Sequence, residues 1–332
     1  MDRLLGQAVP LVKLTRVTTA FGVVGNVWFV ILWSRAIEGD AIRAVHPDAP
    51  ILALPLPLLL LASAVGSVAL FAYGAALNDV LDLKRDRTIS PDRPLPSGGV
   101  SVDASVAVVT IALLIAVLGA SVFGTSAVIL TCLVAAALLI FNAAGRFVPG
   151  FGLVLLGLIY AGHMLAPHVG LRFLWPVWLV MTHALAVACA AHTLGRKVPR
   201  LTRRGWVAGV AGWALWSGVL LWLGASRVES GAMGWPARVP ISAAVWIAAL
   251  AALFVLVAWR KTRLLGPGTR AADKVWRYGS LWLTLYAAAW LFAIGHAGGG
   301  LVLLALASAG FVGMTLLREA YSLVDQPLGF RR

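Results

Sequence analysis

Carboxylates are scarce in this chain. Its 332 residues hold 13 Asp and Glu against 27 Lys and Arg, and charged residues of both signs make up only 12%. A soluble domain carries about 25%, so the chain is not built around a water-facing surface. Cysteine is nearly absent as well. Cys132 and Cys189 both fall in apolar runs and read as small buried hydrophobes. That excludes a disulfide framework and a thiolate metal site. Long polar stretches are also missing. The longest lie at 79–101, 195–205 and 260–277, and none is large enough for a separate soluble domain, so 1–332 reads as one membrane domain. Residues 1–16 contain Asp2, Arg3, Lys13 and Arg16 with no apolar core, so a cleavable signal peptide is not expected.

What the chain does have is hydrophobicity, at 61% of residues. Apolar runs long enough to cross a bilayer recur from end to end, whereas a membrane barrel would show short alternating strands. The expected fold is therefore all-α, a polytopic bundle of nine or ten transmembrane helices, with ten preferred. The segments fall near 15–36, 52–78, 102–122, 125–144, 150–170, 173–194, 206–225, 239–259, 277–296 and 299–317. The shortest connections, near 123 and 298, are where this division is weakest.

The basic residues support ten. With the N-terminus placed in the cytoplasm, 22 of the 27 Lys and Arg fall on one side. Only Arg35, Arg43, Arg172, Arg227 and Arg238 fall on the other. That asymmetry obeys the positive-inside rule and puts both ends in the cytoplasm of an inner or cytoplasmic membrane. It also explains the net charge of +14 without nucleic acid; the expected large partner is the lipid bilayer. Tryptophans near segment ends (Trp33, Trp175, Trp178, Trp206, Trp235, Trp259 and Trp276) read as interfacial anchors.

Five of the 13 acids crowd into 79–103, and none occurs between Asp103 and Glu229. Asn78, Asp82 and Asp86 are spaced i, i+4, i+8, which aligns three oxygen-bearing side chains along one helical face. Such ligands suit Mg²⁺, which often shares its coordination with substrate phosphates. Asp79 supports the same cluster. Asp92-Arg93-Pro94-Leu95-Pro96-Ser97-Gly98-Gly99 follows, and its prolines and glycines stop the helix. They also keep Arg93 near the acids, where metal and guanidinium would clamp a diphosphate from two sides. Polarising that leaving group is a use for the metal. The structural alternative is that Asp82 and Asp86 pair with Lys84, Arg85 and Arg87 and cap the helix.

Asn78-Asp79-x-x-Asp82-x-x-x-Asp86 followed by Arg93-Pro94-Leu95-x-x-Gly98 resembles the first aspartate-rich motif of the UbiA superfamily of intramembrane prenyltransferases. Leu14-Thr15-Arg16-Val17 before the first segment and the many-helix layout extend the likeness. The resemblance implies a helical bundle around a central cavity that opens to lipid. It would hold an isoprenyl diphosphate with Mg²⁺, ionise it to an allylic cation, and pass the prenyl group to a hydrophobic or aromatic acceptor. Asp82 and Asp86 would be catalytic, with Asn78 and Asp79 completing the metal site. Arg16 and Arg93 would bind diphosphate, and Asn26 within the first segment would face the cavity. Residues 79–101 and 195–205 would form a cytoplasmic cap over the site.

The likeness breaks at segment six. The family's second acidic motif is replaced by His192-Thr193-Leu194-Gly195-Arg196-Lys197. Arg196 and Lys197 offer no oxygen to a second Mg²⁺, but could contact the diphosphate directly. As alternatives they belong to the ordinary basic cluster with Arg200, Arg203 and Arg204, or Asp273 supplies a distant carboxylate. The change resembles a bacterial branch of UbiA-like proteins described as EboC-like. Tyr73 and His192 are further cavity candidates. His163, His168 and His183 do not share one stripe and read as packing residues. Two other functions remain open: a non-catalytic polyprenyl lipid or diphosphate carrier that kept one metal clamp, and an anion transporter. No internal repeat or pair of broken helices supports the transporter.

Overall fold

A computed structural model of the protein describes residues 10, 14–16, 20–228 and 234–325, with side chains as far as residue 316. Val17 of the N-terminal match, the basic residues Arg3, Lys13, Arg331 and Arg332, and the side chain of Arg318 lie outside the described set.

Among the described residues the regular structure is helical. A helix covers each of the ten expected segments: α1 (Phe21–Ala36), then two short helices α2 (Gly39–Val45) and α3 (Pro50–Ala53), then α4 (Leu56–Ile89), α5 (Val102–Ser121), α6 (Thr125–Ala143), α7 (Pro149–Leu165), α8 (Trp175–Leu194), α9 (Arg203–Arg227), α10 (Ser242–Leu265), α11 (Thr269–Ala293) and α12 (Ala297–Asp325). The count of ten spans is not established. By length and composition seven described helices suffice to cross a membrane, or eight if α1 and α2, bent by 77° at their junction, form one broken span. α7 falls short with its 17 residues, and α11 carries its first turns as charged helix.

Local chemistry sets these boundaries. Ser101 caps α5 by accepting from the Ala104 N–H at 3.1 Å, and Thr202 caps α9 through Gly205 N–H at 3.2 Å. Each satisfies a donor that a helix start leaves orphaned. The turn between α5 and α6 passes through Gly124 at φ 97°, a conformation that a Cβ makes costly.

α1 lies at the centre, packed on α4, α7, α11 and α12. α4 to α8 pack on their sequence neighbours, and α11 packs on α8, α10 and α12, closing the bundle. In lipid such packing depends on close van der Waals contact between small residues. The α1–α11 crossing shows how close. A Cβ on Gly22 would sit 2.1 Å from the Ser280 carbonyl oxygen, and one on Gly25 would sit 2.4 Å from Thr284 Oγ1. Gly22→Ala is therefore expected to destabilise by about 3 kcal/mol, the upper range for overpacking, because the obstacle is backbone. Gly218→Ala on α9, where nothing lies within 4 Å, is expected to be neutral or slightly stabilising through helix propensity. Unfolding of both variants in detergent checks the contrast.

The 34 residues of α4 span about 51 Å at 1.5 Å each, well beyond the ~30 Å hydrocarbon core. Its apolar part reaches Leu77, and the charged remainder from Asp79 onward continues as helix rather than as loop. The expected cap segment 79–101 is thus helix to Ile89 and connection only from 90 to 101. At the opposite end lies an aromatic core. Trp33 stacks on Phe173 at 5.0 Å, and Phe173 meets Trp290 edge-on at 5.2 Å. Trp33 is fully buried there and is not the interfacial anchor expected of it, whereas Trp206 and Trp259 are exposed.

Candidate functional site

A cavity of about 920 Å³ opens between α4, α6, α7, α8 and α11. One side of α4 lines it from Ser67 through Leu70, Phe71 and Gly74 to Asn78, Asp82 and Asp86. This is the helical stripe that the i, i+4, i+8 spacing implied. The cavity changes character along its length. Leu138, Leu153, Leu156 and Ile159 make an apolar shaft, and Ser67 with His163 closes the deep end, His163 Nε2 lying 3.1 Å from Ser67 Oγ. From Ser67 to Asp82 is 15 residues of α4, about 22 Å. A polar head at the mouth and an apolar tail in the shaft is the shape the cavity accepts.

The mouth is a network of ion pairs. Asp79, Asp82 and Asp86 are all buried, at 3%, 6% and 3% exposure, and buried carboxylates require partners. They do not take Lys84, Arg85 and Arg87 from their own helix. Arg146, from the α6–α7 turn, pairs with Asp82 Oδ2 and donates to Asn78 Oδ1 at 3.1 Å. Arg93 pairs with Asp86 Oδ2 and lies 3.7 Å from Asp79. Arg16 pairs with Asp79 at 2.6 Å, and Asn78 Nδ2 donates to the same oxygen at 3.2 Å. Three separate segments are thereby tied to the end of α4. Asn142 adds a fourth tie, its Nδ2 donating to the Gly74 carbonyl at 3.1 Å.

Most of the expected site residues meet at this mouth: Arg16, Asn78, Asp82, Asp86 and Arg93, with His192 and Lys197 from the far wall. Four do not. Asp79 does not line the cavity; one residue off the stripe, it faces the two arginines and orients them. Asn26 is fully buried inside the bundle and outside the cavity wall. Tyr73 turns toward α6, its hydroxyl donating to the Ala135 carbonyl at 3.3 Å. Arg196 is exposed and away from the wall.

The split between Arg196 and Lys197 has a backbone cause. Arg196 has φ 48°, and the Arg196 and Lys197 N–H groups bond back to the Thr193 and His192 carbonyls at 3.2 and 3.1 Å. This is the left-handed helix ending usually made with glycine, and it turns Lys197 back to the mouth. The His192 ring holds the next turn by donating Nε2–H to the Pro199 carbonyl at 3.0 Å. Arg196→Gly is expected to stabilise the protein by roughly 1 kcal/mol by relieving the left-handed strain, without weakening ligand binding. Melting curves and a binding isotherm on one variant check both halves.

Sequence reasoning missed Arg146 as a site residue. Asp273 and Arg277, which line the mouth as a pair with two contacts at 2.7 and 3.1 Å, were also not combined. His163, His168 and His183 have separate surroundings. His183 bonds the Gly279 carbonyl and Tyr286, and among the described residues no three His, Cys, Asp or Glu are grouped as a metal cage.

The donors nevertheless fit one Mg²⁺ shared with a ligand. Asp82 and Asp86 line the mouth one turn apart. Each arginine engages only Oδ2, so Oδ1 of each carboxylate has no protein hydrogen bond among the described residues. Two carboxylates supplemented by phosphate oxygens and water is a usual Mg²⁺ arrangement. Asn78 and Asp86, eight residues apart and about 12 Å along the helix, do not reach one ion together.

By sequence, the chain matches no protein-family model and no curated protein. By structure it is similar to the apo structure of a UbiA homolog from Aeropyrum pernix K1. The TM-score is 0.52 at 19% identity, over 87% of this chain and 97% of that one. That likeness establishes a UbiA-type membrane fold. Looser similarities are a digeranylgeranylglyceryl phosphate synthase (TM-score 0.48, 16% identity, 87% and 98% covered) and a UbiA homolog from Archaeoglobus fulgidus bound to DMAPP and Mg²⁺ (0.43, 11%, 92% and 99%).

Proposed function

We propose that this UbiA-type membrane protein is a prenyltransferase that moves a prenyl group from an isoprenyl diphosphate to a hydrophobic or aromatic acceptor, with Mg²⁺. The observation that carries this reading is a cavity with a buried aspartate–arginine mouth and an apolar shaft. It complements an anionic head on a long apolar tail.

Asp82 and Asp86 hold the metal in this reading, with Asn78 beside them. Arg16, Arg93, Arg146 and Lys197 face the diphosphate oxygens, and Asp79 positions Arg16 and Arg93. A Mg²⁺ held there would supply neutralisation of the charge that develops on the leaving diphosphate. The chain's own part is to align the head against the guanidiniums while the shaft orients the tail and excludes water from the allylic carbon. The connections 90–101 and 195–202 cap the mouth. The cytoplasmic orientation of that mouth is supported by the basic residues gathered around it.

The test is turnover by purified protein of a panel of prenyl diphosphates with lipid-soluble phenols and alcohols as acceptors, with and without EDTA. Mg²⁺-dependent release of pyrophosphate coupled to prenylated product is the expected result. Tight binding with no pyrophosphate release from any pair would instead favour a non-catalytic polyprenyl carrier. That second reading is motivated by the basic residue, Lys197, that segment six brings to the wall.

A further inference from the structure

Six cationic side chains line the cavity mouth: Arg16, Arg85, Arg93, Arg146, Lys197 and Arg277. Four are paired with carboxylates, Arg16 with Asp79, Arg93 with Asp86 and Asp79, Arg146 with Asp82 and Arg277 with Asp273. Arg85 and Lys197 have no carboxylate at ion-pair distance among the described residues. Among the described residues the mouth thus presents two cationic side chains, Arg85 and Lys197, with no carboxylate paired to them.

These two reach the cavity from different walls. Arg85 projects from α4 between Asp82 and Asp86. Lys197 arrives from the α8–α9 connection, turned inward by the left-handed residue before it. They are close enough to interact. Desolvation in the wall, followed by the guanidiniums of Arg16, Arg85 and Arg93, pushes the Lys197 ammonium below its ordinary value. Like charges held close together repel, and an anion that binds between them removes that repulsion. The carboxylates that line the mouth, Asp82, Asp86 and Asp273, are already paired, so a bound anion is what would relieve it.

We propose that Arg85 and Lys197 form a dicationic clamp that holds the diphosphate head without any divalent ion, so that Mg²⁺ at Asp82 and Asp86 serves departure of the leaving group and not its binding. This rests on the diphosphate reading of the site. It separates two roles for charge: a permanent one, on protein side chains, that captures the anion, and a mobile one that arrives for chemistry.

Calorimetry or fluorescence titration of the full chain with farnesyl thiolodiphosphate, a non-reacting prenyl diphosphate, in EDTA and in Mg²⁺ tests the proposal. Affinity in EDTA is expected to lie within about tenfold of that in Mg²⁺. Arg85→Gln and Lys197→Gln are each expected to weaken binding in EDTA by roughly 10- to 100-fold, the worth of one charge-assisted hydrogen bond. Lys197→Arg retains most of it. Arg87→Gln, on the same helix but outside the cavity wall, leaves binding unchanged. Inorganic pyrophosphate competes, and phosphatidate in the same micelles does not. Loss of binding in EDTA by the wild-type protein, with Mg²⁺-dependent binding intact, overturns the clamp while leaving the prenyltransferase reading standing. Equal competition by phosphatidate also overturns it, by making the pair a lipid headgroup contact. The EDTA arm uses the unmodified chain and so does not depend on any variant folding.

Discussion

Asp82→Ala is expected to lower prenyl transfer by roughly 10²- to 10³-fold, the loss typical when a group stabilising developing charge is removed, and to destabilise the protein by about 3 kcal/mol. The two effects have different origins, and a double variant separates them. Among the described residues Asp82 is the only carboxylate paired with Arg146, and the Arg146 Nε is buried with no partner there. Removing the acid strands a guanidinium at a site where its side chain is only 17% exposed. Removing the arginine as well takes away that stranded charge. Asp82→Ala/Arg146→Ala is therefore expected to regain most of the lost stability and none of the lost activity. Unfolding in detergent gives the first comparison, and pyrophosphate release gives the second. Recovery of turnover in the double variant would show that Asp82 serves only to neutralise Arg146, and the metal role would fall. Asp86→Ala should cost less stability at similar loss of turnover, because its partner Arg93 is 39% exposed and solvent screens the charge left behind.

Much of this arrangement was legible beforehand, for reasons particular residues make plain. The α4 stripe was readable because 3.6-residue periodicity fixes which side chains share a face once the helix is assumed. The ten helices were readable because apolar runs in lipid have few alternatives. What the sequence could not say is where a helix exceeds the bilayer. The acids of α4 were expected on a helical face, but the apolar segment was bounded at 78, and the helix that continues to Ile89 makes them a rigid rim. Of the partners of those acids, Arg93 was expected beside them and Arg146 was not. Lys84, Arg85 and Arg87 are near in sequence but pair with none of the three acids, while Arg93 follows seven residues after Asp86, and Arg16 and Arg146 are distant in sequence and meet the acids by tertiary packing. Arg146 did leave a signal: it is the single Lys, Arg, Asp or Glu between Asp103 and Arg172. A lone charge in so long an apolar stretch is costly to hold without a partner, and the partner available was an unclaimed aspartate. Asn26 and Tyr73 failed in the opposite direction. Both sit near the right depth, but rotation about a helix axis decides whether a side chain faces cavity or neighbour, and short segments do not specify it. Arg196 and Lys197, adjacent in sequence, part because one left-handed residue reverses the chain between them.

Glu38→Ala is expected to cost about 3–6 kcal/mol, a large share of the stability of most folded domains, with no direct effect at the mouth. Glu38 lies in the break between α1 and α2, 6% exposed, at the end of the bundle away from the aspartates. Its carboxylate accepts from three donors: Trp33 Nε1–H at 3.2 Å, Arg172 N–H at 3.2 and 3.1 Å to its two oxygens, and Phe173 N–H at 3.2 Å. Alanine would leave all three donors unpaired, at about 1–3 kcal/mol each when buried. The loss would spread, because the bonds to Arg172 and Phe173 hold the α7–α8 connection in place. That connection drives Phe173, fully buried, between Trp33 and Trp290. Glu38→Gln keeps the oxygen that takes three of the four bonds and should cost only about 1 kcal/mol. Tryptophan fluorescence during detergent unfolding reports this directly, since Trp33 and Trp290 are the walls of the slot. A Glu38→Ala protein as stable as its parent would mean that lipid headgroups or water satisfy the three donors, and that the aromatic packing alone holds this end closed.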